Sequence, residues 1–222
     1  MLRNGPTAGP TFADRAEAGR RLSGALSRHE WHQPVVLGLA RGGVPVAEPV
    51  AAGLGAPLDV AVVRKIGAPG HPEFGVGAVT PTGPPWYDRR NLAVLGLTPD
   101  ELAETCRQEW EEARRRVRLY RDGVEPPALE DRDVLVVDDG LATGVTATAA
   151  VRSIREARPR RVVFAAPVCA PDAAEALRGE ADEVVCVSKP DRFTAVGQWY
   201  RDFRQTTDKE VVRLLATARR RC

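Results

Sequence analysis

The chain predicts an α/β fold, a parallel sheet with helices on both faces. Three observations carry that expectation. Short apolar runs recur at residues 35–40, 58–63, 134–137, 162–168 and 184–187 of the 222 residues, and continuous aliphatic runs suit strands buried on both faces. Segments with helical spacing separate most of them, and strand–helix alternation builds parallel sheets. Polar and glycine-rich stretches then follow several runs directly, at residues 40–43, 64–65 and 138–146, where ligands of open α/β sheets bind.

Taken in order, residues 1–10 are rich in Gly, Pro and Thr and read as a lead-in. Residues 12–26 place Phe12, Ala16, Gly19, Leu22 and Leu26 on one face of an amphipathic helix. Strand 35–40 ends in Arg41-Gly42-Gly43, and a helix is expected over 44–54, with Pro45 in its first turn and Pro49 as an interior defect. Strand 58–63 leads to Arg64-Lys65. Gly67, Pro69, Gly70 and Pro72 then mark residues 66–73 as a mobile loop. Residues 74–80 and 91–95 have strand character across the turn at 81–85. Thr98, Pro99 and Glu101 form a capping box that opens a long helix over 99–121, ended by Gly123. Strand 134–137 runs into Asp138-Asp139, a small loop and a helix over 147–157. Strand 162–168, a helix around 173–177, strand 184–187, a mixed aromatic and charged segment at 189–204 and a closing helix at 208–219 complete the reading. The expected organisation is a single domain over 1–222. It comprises a core at about 12–80 and 130–188, an excursion at 81–129, and a candidate hood or C-terminal segment at 189–222.

Composition excludes several classes. Hydrophobic residues make up 43% and charged residues 28%, which argues against wholesale disorder. A net charge of +2 does not favour nucleic acid, and the basic runs at 114–116 and 219–221 read as solvated faces. No apolar run reaches the roughly 18 residues of a membrane span, and no signal-peptide core opens the chain. Neither a membrane nor a nucleic-acid partner is therefore expected. Cys106, Cys169, Cys186 and Cys222 lack metal-ligand spacing. Cys169 and Cys186, inside apolar runs, read as small buried thiols, and a reducing, cytoplasmic location is expected.

Residues 134–146 carry the densest chemistry. Two carboxylates, Asp138 and Asp139, end an aliphatic strand. Gly140, Leu141, Ala142, Thr143, Gly144, Val145 and Thr146 then form a small loop that opens a helix. Helix openings present unpaired N–H groups to phosphate, whereas carboxylates suit sugar hydroxyls or a divalent metal. This stretch resembles the phosphoribosyl diphosphate (PRPP) motif of type I phosphoribosyltransferases. Arg41-Gly42-Gly43 resembles their diphosphate loop, and Val62-Val63-Arg64-Lys65 resembles the start of the flexible catalytic loop in orotate and adenine members.

The resemblance implies a Rossmann-like type I phosphoribosyltransferase core with a small hood. In it, Asp138 and Asp139 would take the ribose hydroxyls and support Mg²⁺ indirectly through PRPP and water. Residues 141–146 would cradle the 5-phosphate, and Arg41, Gly42 and Gly43 the diphosphate. Lys65 and Arg64 would close over the leaving group, with Lys65 and Arg41 catalytic. His71 and Glu73 could assist proton transfer or be plain loop residues. In hypoxanthine-guanine members an acidic residue commonly stands where this chain has Ala142, so a 6-oxopurine acceptor is disfavoured and the acceptor stays unidentified. Trp199, Tyr200 and Phe203, within 193–203, could stack on a planar acceptor or pack the C-terminal helix. The long helix could be an arm on the core or the surface of a homodimer. A non-catalytic PRPP-binding regulator is the alternative, though the intact Arg41-Gly42-Gly43 and Lys65 favour an enzyme. A PRPP-forming diphosphokinase would need a further nucleotide site, and the chain has no Gly-x-x-x-x-Gly-Lys loop.

Overall fold

A computed structural model describes residues 12–221; the lead-in at 1–10, Cys222 and the side chains of Pro72 and Glu73 lie outside the described part. Five strands form one parallel sheet: β1 (Val35–Leu39), β2 (Leu58–Ala61), β6 (Asp133–Val137), β7 (Arg161–Val168) and β8 (Glu183–Ser188), in the order β2-β1-β6-β7-β8. Every residue of β1 and β6 is buried. Side chains alternate between faces with period two. Val35, Leu37, Leu39, Val134 and Val136 accordingly pack with α5 (Val145–Arg155) and α6 (Pro171–Leu177). Val36, Leu135 and Val137 face the other way, onto α1 (Arg15–Leu26), α2 (Gly43–Leu54), α4 (Ala103–Arg121) and α7 (Asp208–Arg219).

This order creates the crevice. Strand β1 continues through α2 to β2 on one side, whereas the adjacent β6 continues through α5 to β7 on the other. The two helices leave on opposite faces, so the loops after β1 and β6 part at a topological switch point. Pro49 does not end α2, and Gly19 of α1 packs against that turn so closely that an added Cβ would lie 2.5 Å from the Val46 carbonyl oxygen.

Three expectations need correction. Residues 66–73 are not an irregular loop: β3 (Arg64–Ala68) and β4 (His71–Val79) form an antiparallel hairpin, joined by β5 (Trp86–Tyr87). Gly70, at φ +73°, makes the turn. The apolar face of the hairpin, with Ile66, Ala68, Val76 and Val79, joins Leu92 and Leu102 in a small core of its own. Residues 91–95 belong to a helix, α3 (Arg89–Leu95), because the Asp88 carboxylate accepts from the Arg90 and Asn91 amides and Gly96 ends the helix at φ +63°. Cys169 and Cys186 are not free thiols but a disulfide, made where the adjacent ends of β7 and β8 bring them together.

The long helix appears as a 3-10 turn, Asp100–Leu102, followed by α4. It packs on β3 and β4 of the hairpin and on β2 and α7 of the core. No described helix is long and apolar enough to cross a membrane.

Candidate active site

The loops after β1 and β6 meet directly. A Cβ placed on Gly42 would lie 2.1 Å from Asp139 Oδ2, and one on Gly43 2.3 Å from the Val137 carbonyl oxygen and 2.9 Å from Asp138 Cα. Real Cβ atoms do not approach so closely, so the two glycines are what let the β1 loop lie against the carboxylate pair. The Ala40–Arg41 peptide is cis. The Arg41 guanidinium points toward the start of α7, 3.5 Å from Asp208 Oδ1, which also accepts the Tyr120 hydroxyl at 2.6 Å.

The β6 loop is tied to the sheet. Leu141 donates its N–H to the Val168 carbonyl at 2.9 Å and accepts from the Ala170 N–H at 2.8 Å. Gly144, at φ +81°, opens α5 with no side-chain cap. By contrast, α1 and α7 are capped by Asp14 and Thr207. The first amides of α5 thus lack a side-chain acceptor, and Thr143 stands exposed beside them with Thr146 half-buried.

Burial pushes the Asp138 carboxyl well above the usual carboxylate range, and the neighbouring Asp139 charge adds to this. Burial also raises Asp139, with Arg15 opposing. A carboxylate pair of this kind is stabilised by hydroxyl donors or a cation. Among the described residues no group of three or more His, Cys, Asp or Glu could hold a metal ion. Two carboxylates alone suit a Mg²⁺ ion that brings most of its oxygen ligands with a phosphate substrate and water.

The hairpin reaches the same place. A Cβ on Gly75 would lie 2.8 Å from Lys65 Cδ and 3.6 Å from Val145 Cγ1, so the Lys65 stem crosses β4 beside the opening of α5. Arg64 is turned away, its Nε donating to Glu109 Oε2 at 2.6 Å. His71 is exposed at the hairpin turn.

Sequence reasoning missed Arg15. Its Nε and Nη2 both lie 2.8 Å from Asp139 Oδ2, while Nη1 donates to the Arg204 carbonyl at 2.7 Å. The pair is separated by 124 positions, and a single arginine in the first turn of an amphipathic helix gives no local signal. The Tyr200 hydroxyl donates to the Asp139 carbonyl at 2.6 Å, and Val196 covers Gly140. The aromatics of 193–203 are occupied by one another and by the N-terminal segment. Tyr200 packs on Phe12 and Phe203, Trp199 stacks on Phe193, and the Arg15 guanidinium lies 3.9 Å from the Phe203 ring centroid. Their buried cluster contains no α7 residue.

Residues 12–204 match the family model described as the phosphoribosyl transferase domain. Two Mycobacterium tuberculosis proteins that carry provisional phosphoribosyl transferase names are 43% identical over 209 residues, covering 94% of this chain and 47% of theirs. The chain thus spans about half the length of these curated relatives. Uracil phosphoribosyltransferase of Legionella pneumophila is 39% identical over 78 residues, covering 31% of this chain and 36% of its own. The crystal structure of TT1426 from Thermus thermophilus superposes with a TM-score of 0.79 at 43% identity, covering 93% of this chain and 98% of that one. With the two loops in contact at the switch point and the family pattern running through both, the chain belongs to the phosphoribosyl transferase domain family.

Proposed function

We propose that the protein transfers the 5-phosphoribosyl group of PRPP to a nitrogen nucleophile and releases diphosphate, with Mg²⁺ as cofactor. The contact of Gly42 and Gly43 with Asp139 and Asp138 carries this reading, because it sets a diphosphate loop and a sugar loop side by side at one crevice. The uncapped start of α5, with Gly144, Val145, Thr146 and the Thr143 hydroxyl, takes the 5-phosphate. The Asp138–Asp139 pair forms the sugar side. The amides of Gly42 and Gly43, with Arg41 behind them, take the diphosphate, and Lys65 supplies positive charge from the hairpin.

In the reaction the bond from the anomeric carbon to the diphosphate oxygen breaks and the bond from the acceptor nitrogen forms. The electron pair leaves with diphosphate, and the acceptor gives up a proton. Negative charge grows on the leaving group, so donors fixed where it develops lower the barrier. When bound, Mg²⁺, held mainly through PRPP and water beside the Asp138–Asp139 pair, would supply further neutralisation of the leaving group. Ala142 supports an acceptor other than a 6-oxopurine, and the local likeness to uracil phosphoribosyltransferase agrees with a planar nitrogen heterocycle.

The reading is tested by melting the protein with PRPP and Mg²⁺. A ligand present at about 100 times its Kd stabilises by about 2.7 kcal/mol, so an upward shift of Tm is expected. It should vanish when Asp138 and Asp139 both become Asn; an unshifted wild type sinks the proposal. Diphosphate release against a panel of bases then separates an enzyme from a PRPP sensor. Lys65→Ala should lower turnover at least about tenfold, the scale of one lost transition-state contact, with a smaller effect on PRPP binding.

A further inference from the structure

We propose that the carboxylate pair is divided: Asp138 alone receives the ribose hydroxyls, while Asp139, clamped by Arg15, is a strut that spaces the diphosphate loop. Arg15 is then a positioning residue for the leaving group. The proposal rests on the PRPP reading and assigns separate work to two side chains which that reading treats together.

The two carboxylates differ in what they already hold. Asp139 Oδ2 accepts the Arg15 Nε–H at 2.8 Å and forms an ion pair with Nη2 at the same distance, and the same oxygen abuts Gly42 where a Cβ would come within 2.1 Å. Its own main-chain carbonyl is taken by Tyr200. Arg15 is fixed in turn by the Arg204 carbonyl and the face of Phe203, and the pair is 12% and 14% exposed. An ion pair this withdrawn from water is costly to break from one side, because the other charge is left unpaired. Asp139 is therefore poorly placed to exchange partners for sugar hydroxyls at every turnover. It is well placed to set the position of Gly42, since nothing but hydrogen separates that main chain from Oδ2.

Asp138 is different. Among the described residues it makes no ion pair, and its Oδ1 accepts only the Asp139 N–H at 2.9 Å. A carboxylate has about four acceptor sites, so Asp138 keeps capacity for hydroxyl donors from a ligand.

Calorimetric titration of the full chain with three probes separates the roles. These are ribose 5-phosphate, 2-deoxyribose 5-phosphate, and inorganic diphosphate with Mg²⁺. The wild type should prefer ribose 5-phosphate to its 2-deoxy form. Asp138→Asn should bring that preference close to one. Arg15→Gln and Asp139→Asn should each weaken diphosphate about tenfold, the scale of a lost charge-assisted hydrogen bond, and keep the sugar preference. The double variant should be no worse than either single, because the strut is lost only once. Should Arg15→Gln fail to fold, Arg15→Lys, which keeps the charge but not the fork, carries the same expectation for diphosphate. Loss of the sugar preference in Asp139→Asn or an Arg15 variant overturns the division, as does unchanged diphosphate affinity in them. A wild type that binds none of the three probes fails the phosphoribosyl reading itself.

Discussion

The loops after β1 and β6 are built alike and work differently. Each follows a fully buried five-residue strand and runs into a helix. After β6 the proposed chemistry draws on side chains as well as on the first amides of α5: two carboxylates and two hydroxyls project from a backbone tied to β7 through Leu141. After β1 it sits on the main chain. The glycines approach the carboxylates because they lack side chains, and the one charged side chain, Arg41, is turned toward Asp208. Neighbouring strands have thus met opposite demands, one displaying functional groups and the other removing everything that would keep the backbone away.

Adding a single carbon should break this contrast most sharply. Gly43→Ala would put a Cβ 2.3 Å from the Val137 carbonyl oxygen, a main-chain atom in a buried strand that cannot swing aside. Overpacking of this kind costs about 1–3 kcal/mol or more, so a Tm drop is expected, together with loss of diphosphate binding. Ala142→Ser, in the exposed part of the β6 loop, should change Tm little, since exposed substitutions mostly stay within about 0.5 kcal/mol. Equal melting of the two variants would erase the distinction between a backbone site and a side-chain site.

This contrast also explains what could be read from the sequence. The β6 loop was legible because aliphatic strand, carboxylates and hydroxyls lie within thirteen consecutive residues. The five core strands and the helices α1, α2, α5 and α7 were legible for a similar reason, since their burial pattern is local. The Arg15–Asp139 clamp was not, because its partners meet only after the whole sheet has formed. The hairpin was misread because Pro69, Gly70 and Pro72 fit its turn and edge as well as they fit a loop, and its small apolar face finds cover in residues further along the chain, such as Leu92 and Leu102. The disulfide was invisible because 17 positions separate two cysteines whose surroundings look apolar.

That disulfide sharpens the comparison by acting on one side of it. Cys169 pairs in a β-bridge with Leu141, so the Cys169–Cys186 link braces the ground on which the β6 loop stands. A crosslink closing a loop of this length contributes about 3 kcal/mol in the chain-entropy account. Cys186→Ser should lower Tm accordingly and weaken ribose 5-phosphate binding more than diphosphate binding. The opposite order would mean that the brace supports the β1 loop instead.

The smallest effect is expected at the residue whose type looks most functional. The side chains of the Arg41–Asp208 pair are 26% and 31% exposed, and ion pairs this open to water contribute about 0–1 kcal/mol. Asp208 keeps its Tyr120 hydrogen bond whether or not Arg41 is present. Arg41→Met preserves the apolar stem, so Tm should fall by no more than that contribution allows. If the β1 loop binds through its amides, diphosphate affinity should drop only about threefold, the loss of long-range attraction to a partly screened charge. A drop of about a hundredfold, the scale of a direct charge-assisted contact, would show that Arg41 leaves Asp208 to grip the diphosphate. The two neighbouring strand ends would then both work through side chains after all.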